Sequence, residues 1–198
     1  MTTSIVSKAG GTQGSLQING VDSIVFDSTG IVSGVNKSAV TQMPTLGTAV
    51  ATTSGTSIDF TGIPSWVKRI TVMFNGVSTT GTSIPQIQLG SGSVQTTGYI
   101  SGAGYLGNAN STAWSSVTAG FHITSGWGAT SEARGMMTLC LISGSTWVAN
   151  SVTANVPALI TQIGGGTVTL AGALDRIRLT TANGTDTFDA GSVNILYE

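Results

Sequence analysis

Apolar and polar residues alternate with a period of two along most of this chain. In residues 68–74, Ile70, Val72 and Phe74 would face one side of an extended strand, and the residues between them would face the other. A period of two is the pattern of a β-strand with one buried face, because successive side chains of a strand point in opposite directions. No long stretch shows the period of an amphipathic helix. The sequence therefore predicts an all-β fold with almost no helix.

Turn-forming residues separate the predicted strands. Glycine accounts for 28 of the 198 residues, which is about twice its usual share. Clusters typical of turns in antiparallel sheets occur at residues 19–20, 27–30, 75–76, 90–92, 164–166 and 183–184. The pattern between them predicts strands at residues 15–18, 24–26, 49–53, 68–74, 84–89, 120–124, 136–142, 147–153, 167–170, 176–181 and 192–196.

The composition changes near residue 46 and divides the chain in two. Residues 1–45 contain two predicted strands around Asn19-Gly20, a short β-hairpin arm that is too small to bury a core of its own. We expect this N-terminal arm to need a partner, either the arms of identical copies or another protein. Residues 46–198 hold the other predicted strands, and we expect them to form an antiparallel, jelly-roll-like β-sandwich body.

Charged residues are scarce in this chain. Asp, Glu, Lys and Arg make up 8% of it, against about 25% in an ordinary soluble domain, and the mean hydropathy is +0.30. A surface built largely of Ser, Thr, Asn, Gln and Gly lacks the charges that keep monomers apart. We therefore expect other subunits to cover much of it.

The same composition argues against two classes of partner. The seven basic residues are spread along the chain and the net charge is −1, which does not suit the neutralisation of nucleic-acid phosphates. No apolar run approaches the roughly 18 residues of a membrane span, and the first residues lack the apolar segment of a signal peptide. We expect no nucleic-acid partner, no membrane insertion, and synthesis in a reducing cytoplasm, which a lone cysteine also suits.

Few residues could perform chemistry. The chain has one His, one Cys and eight carboxylates, and no motif groups them as a catalytic site requires. Strand alternation places His122 opposite Phe121 and Ile123, so we expect a solvent-facing or interface histidine. Cys140 lies in an apolar strand and is expected to be a small core residue. We predict no enzyme activity, no catalytic residue, no cofactor and no metal site.

One cluster of carboxylates has two interpretations. Asp186 and Asp189 closely follow Asn183, and oxygen ligands of this kind suit calcium. The spacing matches no recognised calcium loop. An Asn-Gly hairpin turn flanked by solvated Asp residues is therefore favoured.

Aromatic residues are the one feature that could carry recognition. Two Tyr and two Trp residues lie in residues 98–134, a segment rich in Gly, Ser, Ala and Asn that we expect to form long loops at one end of the sandwich. Flat rings beside amides are typical of sugar-binding surfaces. Aromatic residues in a protein with few charges more often pack in the core or at a subunit interface, and we favour this second interpretation. The candidate surface residues are Tyr99, Tyr105, Asn108, Asn110, Trp114 and Trp127, while Trp66 and Trp147 are assigned to packing.

Two parts of the chain resemble bacteriophage virion proteins. Residues 15–34 (SLQINGVDSIVFDSTGIVSG) resemble the arm of many phage tail-fibre proteins, in which a hairpin pairs across the subunits of a trimer. Residues 58–78 (IDFTGIPSWVKRITVMFNGVS) and 187–198 (TFDAGSVNILYE) look like the β-rich domain of phage tail-fibre and head-fibre proteins. The resemblance implies a homotrimer with a β-sandwich body. Its candidate trimer- or virion-anchoring residues are Leu16, Ile18, Val21, Ile24, Phe26 and Ile31.

The resemblance implies two functions, and both stay open at this point. In the first, the chain is a homotrimeric tail-fibre, spike or tip protein that attaches the particle to the host surface, where a glycan is a candidate ligand. In the second, it is a head-fibre or capsid-decoration protein that binds and stabilises the capsid lattice. Its partners would be its own copies and either a tail or baseplate protein or the major capsid protein, in a virion assembled in the bacterial cytoplasm.

The small size of the N-terminal arm generates a prediction. Phe26→Ser should weaken assembly more than it destabilises the body, because the arm has no core of its own. Light scattering and thermal unfolding of the same variant would separate the two effects. A variant that remained a full-strength oligomer would contradict the prediction.

Overall fold

The computed structural model describes residues 3–7, 14–18, 21–26, 32–35, 43–107, 112–156, 158 and 160–198. In these residues all regular secondary structure is β-strand, and every strand pairing is antiparallel. The all-β prediction is confirmed. No helix long and apolar enough to cross a membrane occurs in the described part of the chain.

The chain divides into two compact units, Met1–Met43 and Pro44–Glu198. The first unit contains four described strands in the order β1-β2-β3-β4, where the sequence predicted two. Leu16 and Ile18 lie in β2, and Val21, Ile24 and Phe26 lie in β3, whereas Ile31 lies outside the described residues. Their anchoring role stays a prediction. The strands are β1 (Thr3–Ser7), β2 (Gly14–Ile18), β3 (Val21–Phe26) and β4 (Val32–Val35).

The second unit, the body, contains a nine-stranded and a five-stranded sheet. In spatial order the larger sheet comprises β12 (Thr112–Val117), β11 (Ile100–Leu106), β16 (Ile160–Thr169), β15 (Thr146–Asn155), β14 (Ala133–Ser143), β8 (Arg69–Thr79) and β18 (Phe188–Tyr197), with the short strands β5 (Thr45–Leu46) and β6 (Val50–Ala51) both paired to β18. The smaller sheet comprises β10 (Ser93–Val94), β9 (Pro85–Ser91), β17 (Arg176–Thr181) and β7 (Ser57–Thr61), with β13 (Phe121–His122) also paired to β9.

Both sheets contribute to one buried cluster. Ile70 and Leu139 from the larger sheet and Ile87, Leu89 and Ile177 from the smaller sheet are all fully buried and belong to this cluster. An antiparallel sheet that buries one face against another sheet is expected to alternate buried and exposed side chains. The strand predicted at residues 68–74 does so, since its even-numbered apolar residues are buried. The arrangement is sandwich-like.

Two of the predicted glycine turns lie inside strands. Asn75 and Gly76 fall within β8, where the register shifts and forms a β-bulge, and residues 164–166 fall within β16. Gly76 and Gly191 have positive φ angles of 66° and 90°, and a Cβ on Gly191 would clash with the Gly76 carbonyl oxygen. These glycines allow two backbones to approach closely, a use that sequence alone does not distinguish from a turn.

Residues 98–134 do not form the long loops that the sequence predicted. They contain β11, β12, β13 and the start of β14. The period of two is hidden in β11 because Gly102 and Gly104 occupy positions where apolar side chains would mark a strand face. Cross-strand pairing with β16 and β12 forms this strand despite its weak pattern.

A matched pair of glycine substitutions tests the close approach at the bulge. Gly191→Ala should destabilise the body by about 3 kcal/mol or more, because it adds a steric clash to an unfavourable φ. Gly184 also has a positive φ, of 69°, but it faces open space, so Gly184→Ala should cost only about 1 kcal/mol. Denaturant unfolding measures both, and equal losses would contradict the clash.

Candidate functional site

The outer face of the nine-stranded sheet, the side that points away from the core, carries a line of exposed apolar residues. Met136, Val152 and Ile163 lie side by side on β14, β15 and β16, and Gly104 of β11 then separates Ile163 from Trp114 on β12. The exposed fractions of the four side-chain-bearing residues are 52%, 57%, 38% and 72% in that order along the line. We call these five residues the apolar row.

The apolar row continues into neighbouring positions of the same face. Ile100 and Leu106 of β11 are 78% and 56% exposed, and Met73 of β8 pairs with Met136. Exposed apolar residues occur singly on most proteins. A register-matched row across five neighbouring strands is instead a candidate contact surface.

Trp114 is held flat against the sheet. Its indole ring covers Gly102 and Gly104 of the neighbouring strand, and a Cβ on Gly102 would clash with the ring. The absence of side chains at these two positions lets the indole lie close to the backbone, as aromatic residues do beside glycines in sheets. One face of the ring therefore remains open to a partner.

The charged side chains of the body largely neutralise one another. Each arginine is paired with a carboxylate of the same chain, and the apolar row contains no charged residue. Surface ion pairs of this kind add little stability. They do leave the faces of the body with little net charge. The pairs are Arg69 with Glu198, Arg134 with Glu132, Arg176 with Asp175, and Arg178 with Asp59.

The outer face of the smaller sheet is polar by contrast. A depression of about 310 Å³ is lined by Gln88, Arg178 and Thr180 among other polar residues. Gln88 Nε2 donates a hydrogen bond to the Ala119 carbonyl at 2.9 Å, and Thr180 Oγ1 donates to the Thr56 carbonyl at 2.8 Å. Both side chains are largely buried beneath neighbouring segments, where these hydrogen bonds satisfy them. The body thus has one apolar and one polar outer face.

Tyr99 lies in the core, not on the surface as predicted. It is 1% exposed, and its ring contacts Phe121 edge-on at 5.0 Å between centroids. Its hydroxyl accepts a hydrogen bond from the Leu89 N–H at 2.7 Å and donates one to the Gln95 carbonyl at 3.1 Å. Burial raises the pKa of the Tyr99 hydroxyl to about 12. A surface role for Tyr99 is excluded by this burial.

The other predicted surface residues do not gather at one place. Trp127 packs against the core, and its indole N–H donates to Thr79 Oγ1 at 2.9 Å. Tyr105 is half-buried and approaches Gly126, while Trp114 lies on the opposite face of the sheet. Asn108 and Asn110 lie outside the described residues. Of the four predicted aromatics, Trp114 alone is widely exposed, whereas Trp66 and Trp147 pack as predicted.

Sequence reasoning missed Met136, Val152 and Ile163 as surface residues. The signal lay in residues 136–142, where the apolar run is almost continuous and so supplies both faces of a strand. In the structure Met137 and Leu139 of this run are buried, whereas Met136 is exposed. A strand that is apolar on both faces indicates either burial on both sides or a contact with a partner.

His122 and Cys140 occupy other environments than predicted. His122 is 8% exposed, because β13 lies against strands of both sheets, and its Nδ1 atom has no hydrogen-bond partner among the described residues. Burial lowers the pKa of His122 to about 4.

Cys140 is half-buried on the outer face, alternating with the buried Leu139. No group of three or more His, Cys, Asp or Glu residues in the described ranges could hold a metal ion.

The loop with Asn183 and Asp186 joins the two sheets and is not a hairpin turn. It connects β17 of the smaller sheet to β18 of the larger sheet. The Asp186 carboxylate accepts hydrogen bonds from Asn183 Nδ2 at 2.7 Å and from the Ser83 N–H at 2.8 Å. These hydrogen bonds lower the pKa of Asp186. The carboxylate thus fastens the loop to the neighbouring segment.

Comparison with known proteins gave no match: no family model, no curated protein and no solved structure is significantly similar to this chain.

Burial of His122 predicts that the body loses stability as the pH falls. Its folded-state pKa of about 4 lies below the value near 6.5 of an unfolded chain, so between these values the unfolded state takes up a proton that the folded state does not. Stability from this source is complete above about pH 6.5 and is lost progressively down to about pH 4, at a cost on the order of 3 kcal/mol. Denaturant unfolding across this pH range measures the loss.

The matched variant for this pH dependence is His122→Gln. It keeps a polar side chain at the site and removes the titrating group, so its stability should vary less with pH than that of the natural chain. The same pH slope in both proteins would show that His122 does not cause the loss.

Proposed function

We propose that this chain is a structural subunit of a bacteriophage particle, a homotrimeric tail-fibre, spike or tip protein that attaches the particle to its host. The observation that carries the proposal is the apolar row, an uncharged apolar strip across a body whose arginines are all paired within the chain. Such a face favours permanent cover by other subunits. The homotrimer and the assignment to a virion are implied by the resemblance of residues 15–34, 58–78 and 187–198 to phage fibre proteins.

In this proposal the body is a jelly-roll-like sandwich and the N-terminal unit is its attachment arm. The single buried cluster shared by the two sheets supports a sandwich. The chain would assemble in the bacterial cytoplasm and join a tail or baseplate protein. A role in assembly needs no reactive groups, which agrees with a lone histidine that is buried and a lone cysteine.

A capsid-decoration or head-fibre protein is the second candidate function. The observation that favours it is the dispersal of the aromatic residues, since Tyr99 and Trp127 pack inside the body and Trp114 faces away from Tyr105. A glycan-binding surface usually brings rings and polar groups together. A protein that reinforces the capsid lattice needs no such surface, and its partner would be the major capsid protein.

Electron microscopy of particles with a label fused at Glu198 separates the two functions. Label at the tail end is the expected result for a fibre or spike, and label over the head would replace that proposal by capsid decoration. Particles that carry no label anywhere would contradict both. A tail protein that contacts the host should also coat susceptible cells when it is purified.

Multi-angle light scattering on the purified full chain tests the trimer independently of its place on the particle. We expect a mass three times that of the 19.9 kDa chain. A monomer at micromolar concentration would contradict the interpretation of the low surface charge.

A further inference from the structure

We infer that the outer face of the nine-stranded sheet, centred on the apolar row, is the surface through which copies of this chain contact one another. The inference rests on the proposed homo-oligomer and names the surface that forms it. Three properties of the face support this inference: its area, its lack of net charge, and its pattern of raised side chains and recesses.

The face is large enough to support a stable contact. β14 and β15 contain 11 and 10 residues, a length of about 33 Å, and the six strands from β8 to β12 span roughly 25 Å when they lie side by side. Together these dimensions give about 800 Å², which is the area that each partner contributes to a standard protein interface. A face of this size can therefore be shared between the neighbouring copies of an oligomer.

The charge of the face distinguishes a second copy from a partner of another kind. No charged residue lies in the apolar row, and Arg69 and Arg134, which lie on the same outer face outside the row, are each paired with a carboxylate of their own chain. A face without net charge does not attract a strongly acidic or basic partner. It also does not repel an identical face. Copies of this chain can therefore bring this face together without electrostatic repulsion.

The relief of the face suits the stacking of one sheet on another. A depression of about 400 Å³ lies beside Met136 and Val152, with Gly135 in its lining. A second one of about 330 Å³ lies beside Ile163 and Trp114, with Gly104 in its lining. Raised apolar side chains therefore alternate with recesses on the same face. When two sheets stack about 10 Å apart, the side chains of each fill the recesses of the other.

The surroundings of Trp114 favour a protein surface over a sugar. The open face of an indole ring can stack on either one. Sugar sites also require polar groups that converge on the hydroxyls. The recess beside Trp114 is instead lined by Ile163, Leu106 and Ala113 together with Gly104 and Tyr105. Apolar neighbours match the apolar side chains of a second copy.

A pair of lysine substitutions tests the inference on the full chain. Val152→Lys places a charge in the middle of the apolar row and should raise the dissociation constant of the oligomer at least about 100-fold, since an unpaired charge would be buried. Thr61→Lys is the matched control: it replaces another exposed, β-branched strand residue, but on the smaller sheet. It should leave the oligomer intact. Light scattering over a dilution series gives both constants.

Thermal unfolding of both variants checks that they remain folded, and unchanged melting temperatures are expected because both positions are exposed. If Val152→Lys fails to fold, Met136→Lys tests the same row from the neighbouring strand. Dissociation by a row variant together with an intact Thr61→Lys oligomer supports the inference.

Other outcomes separate the two proposals. An oligomer that resists both row variants would overturn the contact surface and leave the proposed virion subunit standing. A natural chain that is monomeric would overturn the contact surface and the trimer together, while the label on the particle would still decide whether the chain is a virion protein. Quenching of tryptophan fluorescence by methyl glycosides in the natural chain, and its loss in Trp114→Ala, would assign the row to a sugar and would also overturn the inference.

Discussion

The side chains of a β-strand point in two opposite directions, and a body of two sheets covers only one of them. This constraint governs the whole structure. Ile70, Leu139 and Ile177 meet in the shared core because they occupy inward positions. The outward positions of the same strands must then be polar or must find a partner elsewhere. In the smaller sheet these positions are polar, as at Gln88 and Thr180. In the larger sheet several of them form the apolar row, for which we propose a partner.

Glycine makes this arrangement possible at two kinds of position. At Gly76 and Gly191 it allows the backbones of β8 and β18 to approach where their register shifts. At Gly102 and Gly104 it clears the surface on which the indole of Trp114 lies. In both cases the missing side chain brings two neighbouring groups closer than any other residue would permit. The high glycine content therefore serves packing as well as turns.

The low charge content and the apolar row have a common consequence. Ion pairs at the surface neutralise the few arginines, so the body has little electrostatic protection against association. A face of this kind is costly for a protein that remains monomeric, because exposed apolar strips promote unspecific contacts. It is an advantage for a subunit whose neighbours have a fixed place. This balance supports the proposed role as a subunit of a larger assembly.

The sequence by itself determined that the chain is all β, since a period of two follows from strand geometry alone, and it located strands such as residues 176–181 and the core side of residues 68–74. The sequence also determined that the chain contains few charged residues. Only the tertiary structure decided which strands are neighbours, that residues 98–134 form strands, that His122 and Tyr99 are buried, and that Met136, Val152, Ile163 and Trp114 share one row. These features depend on pairing between segments far apart in the chain, and local alternation carries no information about the partner or its register.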